Sequence, residues 1–357
     1  MINEGAVFFL AANSAQGFFS LFNELYVPDD GWKAYIIKGG PGTGKSGLMR
    51  KLAKAAEDRG YAVERIICSS DPDSLDAIII PEKKLCFADG TAPHVMEAKY
   101  PGAVEEIINL GQFWNSKTLE TNREHIITLT NCNKALHSKS AKYVSAYYQT
   151  LSDSMKINKS AIDNKKIENF ASRFIARNCQ CSNRMGMQKN RLINGITPKG
   201  YVTLFDTANR YCDRIYAVND EDFYVSSVLM EALRRCAVSN GVDVISCLNP
   251  LSPQGNPLHI ILPKERTGFF TSNSLQNFKS IAYKNIKTSR FVNKDIISAH
   301  KQRLVFDRRV SSEMLSEAVK LLEKAKKVHD DLEADYIKAM NFDKLNIFAD
   351  KLIESLF

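Results

Sequence analysis

The segment Gly39–Ser46, GGPGTGKS in one-letter code, constrains the fold of this chain more than any other part of the sequence. It fits the pattern G-x-x-x-x-G-K-[ST] in full. The apolar run 32–37 before it predicts a short strand, and apolar residues at helical spacing over 48–56 predict a helix that stops near Arg59-Gly60. The chain is therefore predicted to contain an α/β unit in which a tight glycine-rich turn joins a strand to a helix.

The residue types in this loop are those that bind phosphate. Glycines at positions 39, 42 and 44 allow a tight turn with N–H groups aimed inward, and the helix N-terminus adds partial positive charge. Lys45 is expected to contact the β- and γ-phosphates of a nucleotide, and the Ser46 hydroxyl to bind Mg²⁺. ATP is favoured over GTP because no guanine-reading [NT]-K-x-D motif stands in a suitable place. The predicted nucleotide-binding residues are Gly39, Gly40, Pro41, Gly42, Thr43, Gly44, Lys45, Ser46 and Gly47.

The second half of the sequence repeats the first at an offset of about 181 residues. The matching positions include Tyr35 with Tyr216, Ser46 with Ser227, Leu48-Met49 with Leu229-Met230, and Ile78–Pro81 with Ile260–Pro263. We predict two tandem P-loop NTPase-like domains, 1–180 and 185–357, each with three layers and a mostly parallel sheet. Helix-forming sequence predicts an α-helical extension in each, at about 103–178 and 291–357, which could pair the two repeats.

The glycine-rich loop is not preserved in the second repeat, where the matching segment 220–227 reads DEDFYVSS. Val225 stands in place of Gly44 and Ser226 in place of Lys45. Three acidic side chains at the start of the segment would repel a triphosphate. The second repeat is therefore predicted to keep the fold and to lack the nucleotide site.

The same comparison indicates further candidate catalytic residues beside Lys45. Asp89 follows a predicted buried strand over 84–88 and is the candidate second Mg²⁺ contact, with an ordinary turn residue as the alternative. Asp71 follows the strand 62–68 and could position a phosphate, a water or a substrate. His94 is a weaker candidate, since a histidine after proline often only stabilises a turn. Open α/β sheets bind ligands at such strand ends, and the second repeat has Thr271, Ser252 and Gln276 at these three places.

The net charge of +8 is concentrated in one part of the chain. Residues 151–200 contain ten basic and three acidic residues. This pattern predicts a solvated helical face with a linker, or else a site for nucleic acid or another anionic partner. No apolar run reaches the ~18 residues of a membrane span, and no basic region precedes the apolar residues 6–12. With eight scattered cysteines, the expected location is cytoplasmic.

The chain resembles a family of uncharacterised bacterial tandem P-loop ATPase-like proteins, within the P-loop-containing nucleoside triphosphate hydrolase superfamily. The resemblance rests on the segments 39–46, 68–76, 78–82, 89–94 and 100–102, and it extends over essentially the whole chain. It implies nucleotide binding and hydrolysis. Members of that family tend to have a phosphate loop in both halves, and this chain departs from them at 220–227.

Three functions follow as hypotheses. The first is a slow Mg²⁺-dependent ATPase that acts as a conformational switch between one intact and one degenerate repeat. The second is a small-molecule or nucleotide kinase, because Gly90 stands after Asp89 where many ATPases have a glutamate. The third is a non-catalytic, ATP-gated binding module that uses the basic segment.

Overall fold

The computed structural model describes residues 5–93 and 95–357, so His94 lies outside the described residues. Both halves of the chain combine strands and helices. The first half contains β1 (Val7–Phe8), β2 (Ala11–Ser14), β3 (Gly17–Ser20), β4 (Lys33–Lys38), α1 (Lys45–Glu57), β5 (Glu64–Ile67), β6 (Leu75–Ile80), β7 (Leu85–Asp89), β8 (Glu105–Asn109), α2 (Ser116–Thr121), α3 (Arg123–Ala161) and α4 (Asn164–Asn178). The second half contains β9 (Gln188–Arg191), β10 (Asn194–Thr197), β11 (Gly200–Thr203), α5 (Phe205–Tyr211), β12 (Arg214–Asn219), α6 (Tyr224–Ser239), β13 (Val244–Cys247), β14 (His259–Leu262), β15 (Thr267–Ser272), β16 (Lys284–Lys287), α7 (Lys294–Ala299), α8 (Lys301–Ala339) and α9 (Phe342–Leu356).

The two halves contain matching six-stranded sheets. The first has the order β1-β5-β6-β7-β4-β8 and the second the order β9-β13-β14-β15-β12-β16. In each sheet one strand, β6 or β14, is antiparallel to both neighbours, and the remaining pairs are parallel. A two-stranded hairpin, β2-β3 or β10-β11, accompanies each sheet. The prediction of an α/β chain with mostly parallel sheets is confirmed.

The strand before the glycine-rich loop lies in the middle of the first sheet, between β7 and β8. Residues 34–37 are buried, as expected for a strand covered on both faces. Tyr35 stacks on Phe87 of β7 with ring centroids 4.7 Å apart, and Tyr216 stacks on Phe269 in the second sheet at 4.8 Å. The same core contact therefore holds the central strand of each half.

The helical extension of the first half begins later than the sequence suggested. Residues 105–109 form β8 rather than helix, because they pair in parallel with β4 and complete the edge of the sheet. Helix starts at Ser116, where the Asn115 side chain accepts hydrogen bonds from the N–H groups of Lys117 and Thr118. The prediction of helix from residue 103 is wrong for this strand.

The long helices α3 and α8 have 39 residues each and lie antiparallel to one another. The Ser140 hydroxyl donates to the Ala318 carbonyl, and the Ser154 hydroxyl to the Asp307 carboxylate. The following helices then exchange between the halves. The apolar face of α4 packs on α6 of the second half, and the apolar face of α9 packs on α1 of the first half. Each half is thus covered by a helix from the other.

A buried cluster of charges also joins the two sheets. Glu64 of β5 accepts hydrogen bonds from Arg191 Nε and Lys189 Nζ of β9, both at 2.6 Å. Arg191 is fully buried and Glu64 is 6% exposed. A charge buried in this way is stable only while its oppositely charged partner is present. The loss of Glu64 or of Arg191 would therefore destabilise the contact between the halves.

Within the described ranges, 5–93 and 95–357, none of the helices combines the length and the apolar character needed to cross a membrane.

Candidate functional site

The glycine-rich loop connects β4 to α1 and lies against the helices of the other half. Gly42 and Gly44 have φ angles of +66° and +90°, which favour glycine. A Cβ at Gly42 would lie 2.7 Å from the Glu333 carbonyl oxygen of α8, and a Cβ at Gly40 would overlap the Tyr336 ring. The glycines are therefore needed for the turn and for close packing against α8, a second reason that the motif alone did not provide.

Lys45 and Asp89 lie together at the carboxyl edge of the sheet. Lys45 Nζ donates to the carbonyl oxygens of Gly39 at 3.0 Å and Gly40 at 2.8 Å, and it lies 3.5 Å from Asp89 Oδ2. Asp89 ends β7, which is paired directly with β4, and it accepts a hydrogen bond from the Thr91 N–H at 2.8 Å. The lysine is thus folded back over its own loop, with a carboxylate beside it.

Ser46 and Asp71 both contact residues 74–75, where β6 begins. Ser46 Oγ accepts a hydrogen bond from the Leu75 N–H at 3.0 Å, and a hydroxyl oxygen retains further acceptor capacity for a metal ion. Asp71 Oδ2 accepts from the Ser74 hydroxyl at 2.7 Å and lies 3.6 Å from Lys326 Nζ. Ser46, Asp71 and Asp89 therefore border one space.

That space is a cavity of about 250 Å³ between the loop and the long helices. Its floor includes residues 41–47 with Asp71, Asp76 and Asp89. The opposite wall consists of side chains from both long helices, Asn133, His137, Ala325, Lys326, His329 and Glu333. Sequence reasoning missed this wall, because these residues lie far along the chain on helices whose visible pattern is apolar packing.

Glu333 makes the closest polar contact from this wall to the loop. The Gly42 N–H donates to Glu333 Oε1 at 3.2 Å. His329 Nδ1 lies 3.8 Å from the same oxygen. A carboxylate thus sits on a backbone N–H of the kind that binds phosphate oxygens in glycine-rich loops. His329, Asp330 and Glu333 also place ligand atoms within 4.8 Å of one another, a spacing that could hold a metal ion.

Two titratable groups of the cavity are held in their neutral forms. Burial, and the neighbouring His329, lower the pKa of His137 below its ordinary 6.5, so this imidazole is uncharged at pH 7. Burial raises the pKa of the Cys68 thiol well above 9.0, and the nearby Asp76 carboxylate adds to the effect. Cys68 is therefore an unreactive thiol in this cavity.

The second half contains an apolar cluster at the matching place. When α3 and α8 are aligned from their first residues, each cavity residue of one helix can be matched with a residue of the other helix. Lys326, His329 and Glu333 match Tyr148, Leu151 and Met155, and His137 matches Leu315. All four of these counterparts belong to one hydrophobic cluster. Polar side chains therefore converge at the glycine-rich loop, whereas the corresponding space of the second half is filled by core.

The loop of the second half also carries its own anion. Asp220 Oδ2 accepts a hydrogen bond from the Ser226 N–H at 2.7 Å, in the first turn of α6. Arg308 of α8 holds Asp222 through two hydrogen bonds, of 2.8 and 2.9 Å. A carboxylate thus takes the position at the helix N-terminus that suits an anion.

The buried Asp220 leads to a prediction on stability. Burial raises the pKa of Asp220 from 3.8 to about 6. Between these pH values the folded chain keeps a proton that the unfolded chain has released, so the free energy of unfolding falls as pH rises, by up to about 3 kcal/mol. Asp220→Asn is expected to remove this dependence in urea titrations from pH 4 to 7. Asp206→Asn, at an exposed position, is the control, and parallel profiles for wild type and Asp220→Asn would contradict the assignment.

Comparisons with protein-family models, with curated proteins and with solved structures found no match to this chain.

Proposed function

We propose that the first half is a P-loop NTPase domain that binds Mg²⁺-ATP, and that the second half is a degenerate copy without a nucleotide site. One observation carries the proposal. The complete G-x-x-x-x-G-K-[ST] loop borders a polar cavity, whereas the matching space of the second half is filled by apolar side chains and an internal carboxylate.

The residues of the loop fit a bound triphosphate. The backbone N–H groups of residues 42–46 and the N-terminus of α1 provide donors and partial positive charge. Lys45 Nζ is held by two carbonyl oxygens and can exchange them for phosphate oxygens. The Ser46 hydroxyl and the Asp89 carboxylate would hold Mg²⁺, which neutralises charge on the transferred phosphoryl group.

We propose slow ATP hydrolysis as the reaction and a conformational switch as its use. The γ-phosphate and Glu333 compete for the Gly42 N–H, because one N–H cannot donate well to both. Bound nucleotide would therefore displace Glu333 and, with it, part of α8. Since α8 lies along α3 and leads into α9 on the first half, occupancy of the site would be transmitted to both halves.

Replacing Glu333 by glutamine tests the competition. The neutral amide is a weaker acceptor than the carboxylate and does not repel phosphate, so Glu333→Gln is expected to bind Mg²⁺-ATP about 3–10-fold more tightly than wild type. Calorimetric titration of the full chain measures the change. Glu323→Gln, an exposed position on the same helix, should leave affinity unchanged. Weaker binding by Glu333→Gln would show that this carboxylate assists the nucleotide instead.

The strand order favours a kinase as the second candidate. The strand β7, which ends in Asp89, pairs directly with β4, which precedes the glycine-rich loop. In ATPases of the additional-strand class, a further strand lies between the two strands that correspond to β4 and β7. Gly90, not glutamate, follows Asp89, and the cavity wall offers Asn133 and Lys326 as contacts for an acceptor. Incubation with γ-labelled ATP and Mg²⁺, with and without cell extract, separates the candidates. Free phosphate without extract supports the ATPase, and a labelled metabolite formed only with extract supports the kinase.

We further propose a cytoplasmic location, because all eight cysteines are free thiols and cytosolic proteins keep their thiols reduced.

A further inference from the structure

We propose that a basic cleft on the second half, between α4 and the turn 288–291, binds single-stranded nucleic acid. The cleft has a volume of about 570 Å³. It is lined by Lys166, Asn169, Phe170, Arg173, Phe174, Arg177, Asn178, Arg290 and Phe291. These residues do not overlap those of the cavity at the glycine-rich loop, so the proposal is independent of the proposed nucleotide site.

The positive charge of the cleft is largely uncompensated. Four of its lining residues are basic, and of the described residues that line it none is acidic. Lys166 pairs with Asp163 at 3.2 Å. Arg173 and Arg177, both exposed on α4, form no ion pair within the described part of the chain, and they lie four residues apart on one helix face. Two guanidinium groups that face solvent side by side are suited to successive phosphates of a nucleic-acid backbone.

Aromatic rings lie among these cations. Phe170 and Phe174 are half-buried in the wall of the cleft. The Arg290 guanidinium lies 5.4 Å from the centroid of the Phe170 ring and 5.2 Å from that of Phe291. Phe291 is buried, so the surfaces on which unpaired bases could stack, as in single-strand binding sites, are the exposed Arg290 guanidinium and the open parts of Phe170 and Phe174. This combination favours a single strand over a duplex, whose bases are already stacked.

The matching surface of the first half keeps the same packing with fewer basic residues. When α4 and α9, of 15 residues each, are aligned from their first residues, Arg173 matches Lys351 and Arg177 matches Ser355. The ring pair is kept, with Phe170 and Phe291 at 5.6 Å and Phe113 and Phe348 at 5.6 Å. The aromatic packing is therefore common to both halves, whereas two arginines four residues apart are found on α4 and not on α9.

The basic surface continues beyond the cleft along the edge of the second sheet. β16 is an edge strand, and Lys284 and Lys287 on it are exposed. Like Arg290, they lie outside the basic segment 151–200 that the sequence singled out, and β16 leads directly into the turn 288–291 that borders the cleft. A strip of cations longer than one phosphate contact fits a polyanion better than a mononucleotide.

Fluorescence anisotropy with a labelled 20-nucleotide single-stranded RNA tests the proposal on the full chain without added ATP. Arg173→Glu/Arg177→Glu is expected to weaken binding at least 10-fold relative to wild type. Arg173→Gln/Arg177→Gln should lose less affinity. The slope of its log affinity against log salt concentration should be smaller in magnitude by about 1.4, since each single-strand phosphate contact contributes about 0.7. The matched control is Lys344→Glu/Lys351→Glu, which makes the same change of charge on the exposed surface of α9. It should bind like wild type.

Three outcomes would overturn the proposal. The control variant could lose as much affinity as the cleft variant, which would show that binding depends on the net charge of the chain and not on the cleft. A duplex DNA of the same length could bind as tightly as the single strand. Polyglutamate could displace the RNA at equal charge concentration, which would indicate a general polyanion surface. Urea unfolding of each variant verifies that the fold is intact, so a loss of binding is attributable to the cleft.

Discussion

Replacing Lys45 by alanine is expected to lower phosphate release from ATP at least ~100-fold. The reason is local charge. Lys45 Nζ lies 3.5 Å from Asp89 and is only 12% exposed, so its ammonium group acts at a site where water screens little. In Lys45→Ala, the negative charges of the phosphates would face the Asp89 carboxylate without the lysine ammonium group to neutralise them.

The control for this variant is Lys54→Ala on the same helix. Lys54 is 75% exposed and pairs with Asp58 on the surface, so its loss should leave turnover near the wild-type value. Steady-state phosphate release with Mg²⁺ measures both variants, and thermal unfolding verifies their folding. Turnover by Lys45→Ala within a few-fold of wild type would place the reaction elsewhere in the chain.

Replacing Glu64 by glutamine is expected to lower the free energy of unfolding by about 3–5 kcal/mol. The variant would leave Arg191 buried without its carboxylate partner, and Lys189 would lose its contact as well. Glu168→Gln is the matched control, since Glu168 pairs with Arg235 at the surface, with side chains 53% and 55% exposed, where an ion pair contributes at most about 1 kcal/mol. Urea unfolding at pH 7 measures the difference.

The effect of Glu64 should also depend on pH. Burial acts to raise the pKa of this carboxyl, but Arg191 and Lys189 outweigh it and hold the pKa below the ordinary 4.5. The stabilisation is therefore complete above pH 4.5 and is lost as pH falls through the lower folded-state pKa. Wild type and Glu64→Gln should converge in stability at acid pH. A constant difference down to low pH would show that packing, not charge, sets the cost.

Much of the fold could be predicted because its signals are local. The apolar runs at β4 and β7 and the helical spacing after Lys45 each lie within a short window of sequence. The repeat was visible because core positions such as Tyr35 and Tyr216 are kept at a near-constant offset. The strand β8 was missed, since Glu105–Asn109 reads EEIIN, which neither alternates polar and apolar residues nor forms an apolar run, and its role depends on pairing with β4. The packing of α4 on the second half and of α9 on the first half could not be predicted, because an apolar helix face does not specify the surface on which it packs.

The floor of the candidate site could be predicted and its wall could not. Lys45 and Asp89 follow parallel strands, so their meeting at one edge of the sheet is a consequence of topology. Glu333 contacts Gly42 of the loop although the two residues are 291 positions apart in the sequence. A signal for it does exist in the sequence, since His329 and Glu333 stand where the other long helix has Leu151 and Met155. That signal becomes readable only when the two helices are aligned, and the helix boundaries came from the structure.

Calorimetric titration of the full chain with Mg²⁺-ATP decides whether one half alone holds a nucleotide. The expected result is a single binding event with a stoichiometry of one nucleotide per chain, abolished in Lys45→Ala and unchanged in Ser226→Ala. No heat of binding with the wild-type chain, or two nucleotides per chain, would contradict the assignment of a functional first half and a degenerate second half.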